Sequence, residues 1–196
     1  DRFSLFTNGF DRLNITNTGN VGIGTTSPSD FDSVGADNLV VGPGTGNNGI
    51  TVYSATTGYG ALAFADGNTS ASVDQYRGLI QYNHTSDTLA LFTNATTKMT
   101  ILSGGNVGIG VTPNAPANGL IQLDIGDNGC GMTSRQNNEL ILQANANYST
   151  YAQAGVPATR LNLTNSGEFH FLNAPAGTAI GDTITFTERM RITNGG

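Results

Sequence analysis

The chain has 196 residues, a net charge of −6 and only 11% charged residues, against about a quarter in an ordinary soluble domain. One lysine, Lys98, stands beside seven arginines, so no basic cluster exists to displace counterions from nucleic acid or to bind an anionic membrane surface. No run of 18 apolar residues marks a transmembrane helix, and no basic start followed by an apolar stretch marks a signal peptide. Asn, Thr, Ser and Gly fill the polar positions between regular apolar runs. That pattern implies a folded chain rather than one kept soluble by charge. The one cysteine, Cys130, lies in a Gly-rich turn and has no intrachain disulfide partner.

Taken in order, the chain is a series of short strands separated by Gly- and Asn-rich turns. Arg12–Gly24 reads as a strand-like run, a turn, and a second short run with glycine at alternate positions. Leu39–Val41, Ile50–Tyr53, Ala61–Ala65, Leu79–Tyr82, Leu89–Phe92 and Met99–Leu102 follow as apolar or alternating runs. Gly42-Pro43-Gly44, Asn47-Asn48-Gly49, Asp66-Gly67 and Gly104-Gly105-Asn106 supply the reversals between them. Beyond these, Leu120–Ile125, Glu139–Leu142, Arg160–Leu163, Glu168–Leu172 and Thr183–Phe186 read as strands of period two. Asn145–Ala154 is the weakest strand candidate and also reads as a long loop. No amphipathic helix of ten residues or more is expected. Many short strands with such turns indicate an all-β protein.

The chain also repeats itself. Residues 2–24 align with 88–110 without a gap, and eleven of 23 positions are identical, including the whole of Gly-Asn-Val-Gly-Ile-Gly. Lys98-Met99-Thr100-Ile101 recurs as Arg189-Met190-Arg191-Ile192. The repeat divides the chain into 1–28, the end of one copy; 29–113, a full copy; and 114–196, a divergent copy that stops within the motif. The period exceeds that of common solenoids, so each copy holds several strands. The alternate glycines leave one strand face bare, where another backbone can approach closely. A threefold axis between identical chains is the natural place for such an approach; the alternative is a local bulge or hairpin bend within one chain.

Arg12–Pro28, RLNITNTGNVGIGTTSP, resembles the repeat of bacteriophage tail fibres and related receptor-binding appendages. Asp66–Asn94 resembles the segment that precedes it in that family. Residues 111–119 depart from the pattern, and Asn145–Pro157 has no counterpart in it. The resemblance implies a repetitive short-stranded fibre, built as an intertwined trimeric β-prism or β-helix or as small β-sandwich repeats. It also implies a homotrimer, contact with other tail or virion proteins, attachment to a host cell-surface glycan or protein, and a virion, extracellular location. In that family the repeat often lies upstream of an intramolecular chaperone domain.

Sites of chemistry are few. Gly44–Gly49 fits G-x-G-x-x-G, but a dinucleotide fold needs a helix next and Ile50–Tyr53 reads as a strand. The Gly-Ile-Gly-Thr-Thr-Ser stretch lacks a P-loop lysine. His84 with Asp87, and His170 with Glu168, are the local acid–imidazole pairs, each without an orienting third group in sequence. Asn83–Asp87 reads instead as a hairpin tip. Asp124, Asp127, Glu139 and Glu168 would serve glycoside hydrolysis if two of them stood roughly 5–10 Å apart. Asp124–Gly129 lacks the spaced carboxylates of a calcium loop. Tyr53, Tyr59, Tyr148 and Tyr151 are the candidate glycan-stacking residues if exposed. Six Asn-x-Ser/Thr sequons are in line with the Asn- and Thr-rich composition.

With that resemblance, these features imply a structural segment of a virion fibre with no catalytic residues, no cofactor, no metal site, no nucleic-acid partner and no membrane insertion. The competing readings are a carbohydrate- or receptor-binding module, a polysaccharide depolymerase, and a cellular surface adhesin or filament.

Overall fold

The structure, a computed structural model, describes residues 2–69, 72–113, 120–126, 130–134, 138–147, 150–151 and 154–195. It is all-β, as the run of short strands implies. The described residues contain seventeen strands, and the only helical segments among them are two 3-10 turns, Pro28–Val34 and Val73–Tyr76. The chain divides into two compact units, residues 1–52 and 53–196.

The first unit is a four-stranded sheet of β1 (Phe3–Thr7), β2 (Phe10–Ile15), β3 (Val21–Ile23) and β4 (Leu39–Val41), in that order. The first three strands are antiparallel, and β4 lies parallel to β3 after a crossover that contains the first 3-10 turn. Asn8 and Gly9, with φ of 53° and 76°, close the first hairpin. Two left-handed residues in sequence match the right-handed twist of the flanking strands.

The second unit is an eleven-stranded sheet. It runs β5 (Tyr59–Phe64), β6 (Gly78–Asn83), β7 (Thr88–Thr93), β8 (Thr96–Ile101), β9 (Val107–Ile109), β10 (Ile121–Ile125), β11 (Gly131–Ser134) and β12 (Leu140–Ala144). A separate two-residue pair, β13 (Ala146–Asn147) and β14 (Thr150–Tyr151), intervenes in sequence. The sheet resumes with β15 (Ala158–Leu163), β16 (Phe169–Ala174) and β17 (Thr187–Ile192) at its edge. All neighbours are antiparallel except β9 and β10.

The sequence repeat is a structural module. Strands β7 to β10 repeat the order and directions of β1 to β4, with a register shift at the same place: Leu5/Phe6 in the first hairpin, Leu91/Phe92 in the second. The β16–β17 hairpin shifts at Phe171/Leu172, so it is the first hairpin of a third module. Its loop is longer and carries Ile184 and Phe186.

Two expected strands are absent. Ile50–Tyr53 is irregular and exposed; its β-branched residues have no neighbouring strand to pair with, and propensity alone does not hold a strand. Thr183–Phe186 has a single bridge residue at Thr183. Its apolar side chains serve instead as a cover, Ile184 and Phe186 packing on Ala146, Ala158 and Ala174. β11 has no strong sequence signal: Gly131-Met132-Thr133-Ser134 is short and lies in a glycine-rich stretch.

The paired glycines have two separate roles. Gly24 and Gly110 take φ of 79° and 73°, a region costly for residues with a Cβ. Gly22 and Gly108 are buried, and a Cβ there would collide with the Thr25 and Val111 carbonyl oxygens respectively. The backbone that closes on the bare face therefore belongs to the same chain, three residues later. This corrects the expectation that the bare face awaits a neighbouring chain: it is filled by a local bend. Pro28 and Pro113, at the ends of the two return loops, are buried.

Candidate interaction surface

The register places apolar side chains on one face of each sheet. Residues directly opposite in a ladder share a face, and residues two apart along a strand do too. In the eleven-stranded sheet one unbroken row of cross-strand pairs runs Tyr82, Leu89, Ile101, Val107, Leu123, Met132, Leu142, Leu161, Phe171, Met190. A second row, Leu62, Ile80, Leu91, Met99, Ile109 and Ile125, lies beside it. Not one of these side chains is buried. The small sheet repeats the pattern, with Leu5, Leu13, Ile23 and Val41 in one row and Phe3, Ile15, Val21 and Leu39 in the next. None of these is buried either.

The opposite face is largely polar, and the return loops and the Ile184–Phe186 segment cover part of it, while Tyr59, Ala61 and Ala63 on β5 stay exposed there. In the small sheet Asn14 is fully buried; its amide donates to the Thr25 carbonyl at 3.0 Å and its oxygen accepts from the Ser4 hydroxyl at 2.8 Å. The same amide thus ties down the carbonyl that presses on Gly22. In the large sheet Gln122, Asp124, Thr133 and Gln143 are buried on this face. Gln122 donates to Asp124 and accepts from Thr133 at 3.3 Å. The Arg160 guanidinium donates to Gln143 at 3.1 Å and lies 4.1 Å from the centre of the Phe186 ring. Such buried polar networks specify register. They are unusual as the covered side of a sheet whose other side is apolar and open.

Several charged groups gather on the β16–β17 pair. His170 Nε2 lies 3.0 Å from Glu168 and its Nδ1 3.7 Å from Glu188; Arg191 donates to Glu188 at 2.8 Å and lies 3.8 Å from Glu168. The His170 hydrogen bond, then the Arg191 and Ser166 contacts, hold the Glu168 carboxyl below the usual range. Arg191 does the same for Glu188. The cluster is a partly exposed ion network across two strands, and the Ser166 hydroxyl at its edge donates to Glu168 at 3.3 Å.

The other acid–imidazole pair is not brought together as such. Asp87 accepts from the Tyr82 hydroxyl at 3.1 Å, which raises the Tyr82 pKa, while the His84 ring packs edge-on to Tyr82. Residues 84–87 form the expected hairpin tip, with the Thr85 amide donating to the Asn83 side chain at 2.9 Å. Of the four carboxylates considered for hydrolysis, Asp124 is buried on β10 and Glu168 precedes β16. Four strand spacings separate these strands, about 19 Å along the sheet, beyond the reach of a paired site. Glu139 is half-buried beside β12, and Asp127 lies outside the described residues.

Tyr53 is 96% and Tyr59 59% exposed. Tyr148 lies outside the described residues, as does the Tyr151 side chain. Gly44–Gly49 is an exposed irregular loop with no helix after it, so nothing there cradles a phosphate. A shallow hollow of about 470 Å³ includes Leu142, Arg160, Leu161 and Phe171 among its walls. Among the described residues no group of three His, Cys, Asp or Glu side chains is placed to hold a metal ion.

No protein-family model and no curated protein matches the chain.

One further copy of the motif lies off the main period. Arg160–Gly167, RLNLTNSG, repeats Arg12–Gly19, RLNITNTG. The β15–β16 turn has the hydrogen bonds of the β2–β3 turn: Thr164 and Thr16 each accept from the amide four residues on, at 3.1 and 3.0 Å. The pairs Leu163–Phe169 and Ile15–Val21 stand at the same register. The signal was six identical residues in eight at a spacing of 148, outside the period of the longer repeat.

Proposed function

We propose that this chain is a non-enzymatic structural segment of a virion tail fibre or similar appendage, and that three copies associate by burying their apolar sheet faces against one another. The observation that carries the reading is the open apolar face opposite a covered polar one. Twelve of the apolar side chains on this face of the large sheet are among the exposed large hydrophobics. Together they present on the order of 1,000 Å² of apolar surface, well above the largest patch of a typical monomer and comparable to one partner's share of a stable interface. At 11% charge, little on this chain opposes such association.

The module supports a repetitive mechanical role. Each copy adds strands by a short hairpin and a parallel crossover, without disulfides or metal among the described residues. Assembly of three faces around one axis fits the resemblance of Arg12–Pro28 to phage fibre repeats. Such a segment holds a receptor-binding element away from the particle, and three copies strengthen attachment to a host-surface glycan or protein. Tyr53 is the residue best exposed for a glycan contact.

The test is sedimentation equilibrium of the wild-type chain and of the Ile109→Lys, Ile125→Lys double variant. These two residues are cross-strand neighbours on the apolar face, each about half exposed. A lysine at either is compatible with the isolated sheet but not with a dry interface. The expected result is a trimer for the wild type and a monomer with unchanged β content for the variant. A trimer that survives both lysines would place the interface elsewhere.

A further inference from the structure

We propose that the outer edge of β17 is an acceptor site for one more antiparallel strand, the third strand of a further copy of this module. The site is made of main-chain groups at the sheet's edge, flanked by the apolar residues Met190 and Ile192.

Register singles out this edge. The strand at the β17 position occurs elsewhere in the chain as β2, β8 and β15, and in each case its outer edge is occupied. β2 carries Val21-Gly22-Ile23, β8 carries Val107-Gly108-Ile109, and β15 carries Phe169-His170-Phe171. In all three the flanking residues of the occupant are apolar and lie opposite apolar residues: Ile15 and Leu13, Ile101 and Met99, Leu163 and Leu161. The central residue varies from glycine to histidine.

β17 has the same inner partner and the same apolar pair. Ile192 stands opposite Phe169 and Met190 opposite Phe171, as Ile101 stands opposite Leu89 and Met99 opposite Leu91. Among the described residues no strand pairs with its outer edge. The main-chain groups that make the ladder are known from the other copies. Arg12 and Lys98 carbonyls accept from the Gly24 and Gly110 amides at 3.0 and 2.8 Å; Thr16 and Leu102 amides donate to the Asn20 and Asn106 carbonyls, both at 2.9 Å. The corresponding groups on β17 are the Arg189 carbonyl and the Thr193 amide. Alternation of an antiparallel ladder puts Arg191 between them as a hydrogen-bonding position. An exposed row of this kind is a ready template for a strand.

The occupant is therefore an extended segment with two apolar residues separated by one, of the Asn-Val-Gly-Ile-Gly type. Its apolar residues extend the rows of Met190 and Ile192 by one strand. Its central residue stands opposite Arg191, which is held to one side by Glu188.

The experiment titrates the full chain with a synthetic peptide of residues Asn20–Pro28, NVGIGTTSP, and follows hydrogen exchange residue by residue. The result expected is saturable binding, with exchange at the Arg191 and Thr193 amides slowed about tenfold when free peptide reaches ten times its dissociation constant. The same peptide N-methylated at the Gly22 nitrogen should give no protection, because the central ladder bond is lost. Three results would overturn the proposal: no protection at those amides, equal protection by the N-methylated peptide, or protection at the opposite edge strand, β5, in place of β17.

Discussion

Replacing Gly108 with alanine probes the central joint of the module. The added Cβ would collide with the Val111 carbonyl oxygen and stand 2.7 Å from Pro113 Cδ. Both obstacles are hard: one is main chain, the other a ring buried at the end of the return loop. Neither can rotate away, so the loop must lift off the sheet. Overpacking of this kind costs about 2–3 kcal/mol, which lowers the melting temperature of a unit of this size by roughly 5–10 °C. Two neighbouring glycines serve as graded controls. Gly110→Ala meets nothing within 4 Å but keeps a φ of 73°, for a cost of about 1–2 kcal/mol. Gly104→Ala meets only the Asn106 side chain, at 3.6 Å, and should lie within about 0.5 kcal/mol of wild type. Urea unfolding followed by circular dichroism ranks the three. A Gly108→Ala protein as stable as Gly104→Ala would refute the claim that the return loop requires this glycine.

Ala95 has a φ of 54° where the matching hairpin has Gly9, so Ala95→Gly should raise stability by about 0.5–1 kcal/mol in the same assay, although glycine usually destabilises. Asn14→Ala removes the amide that donates to the Thr25 carbonyl and should cost about 1–3 kcal/mol. Ser4→Ala should cost less, since the Asn14 amide keeps its acceptor. Glu168 has its pKa lowered by the His170 hydrogen bond. Its contribution is therefore present above the ordinary carboxylate value and is lost as pH falls through the lowered one. Stability measured from pH 7 downward should fall less steeply through that window in Glu168→Gln than in wild type; equal slopes would contradict the pairing.

Much of the strand order was legible in the sequence because period-two runs are punctuated by Gly, Asn and Pro. Leu79–Tyr82, Leu89–Phe92 and Arg160–Leu163 all lie inside strands of nearly those limits. Ile50–Tyr53 and Thr183–Phe186 have the same local character and are not strands, since pairing is a property of neighbours rather than of the run itself. The alternate glycines were legible as a place of close approach, but not as to which chain approaches; that depends on the bend after Gly24 and Gly110. The Arg160–Gly167 copy was present in the residues and lay off the expected period.

The candidate surface was legible only in part. Alternation tells which residues share a face, and Leu89, Leu91, Met99 and Ile101 obey it. It does not tell which face the chain covers by itself. Here the return loops and the Ile184–Phe186 segment lie over the polar side. The buried Gln122–Asp124–Thr133 group had no signature beyond being the polar half of an alternating run. Tyr53 and Tyr59 are exposed as a glycan contact needs, though a single exposed ring is common on any surface.

The most direct test of the account is the solution mass of the wild-type chain, measured by sedimentation equilibrium across a wide concentration range. The expected result is three times the 20.3 kDa chain mass, with dye binding to apolar surface low in the assembled state. A well-folded monomer that persists to high concentration, its apolar rows open to solvent, would contradict it.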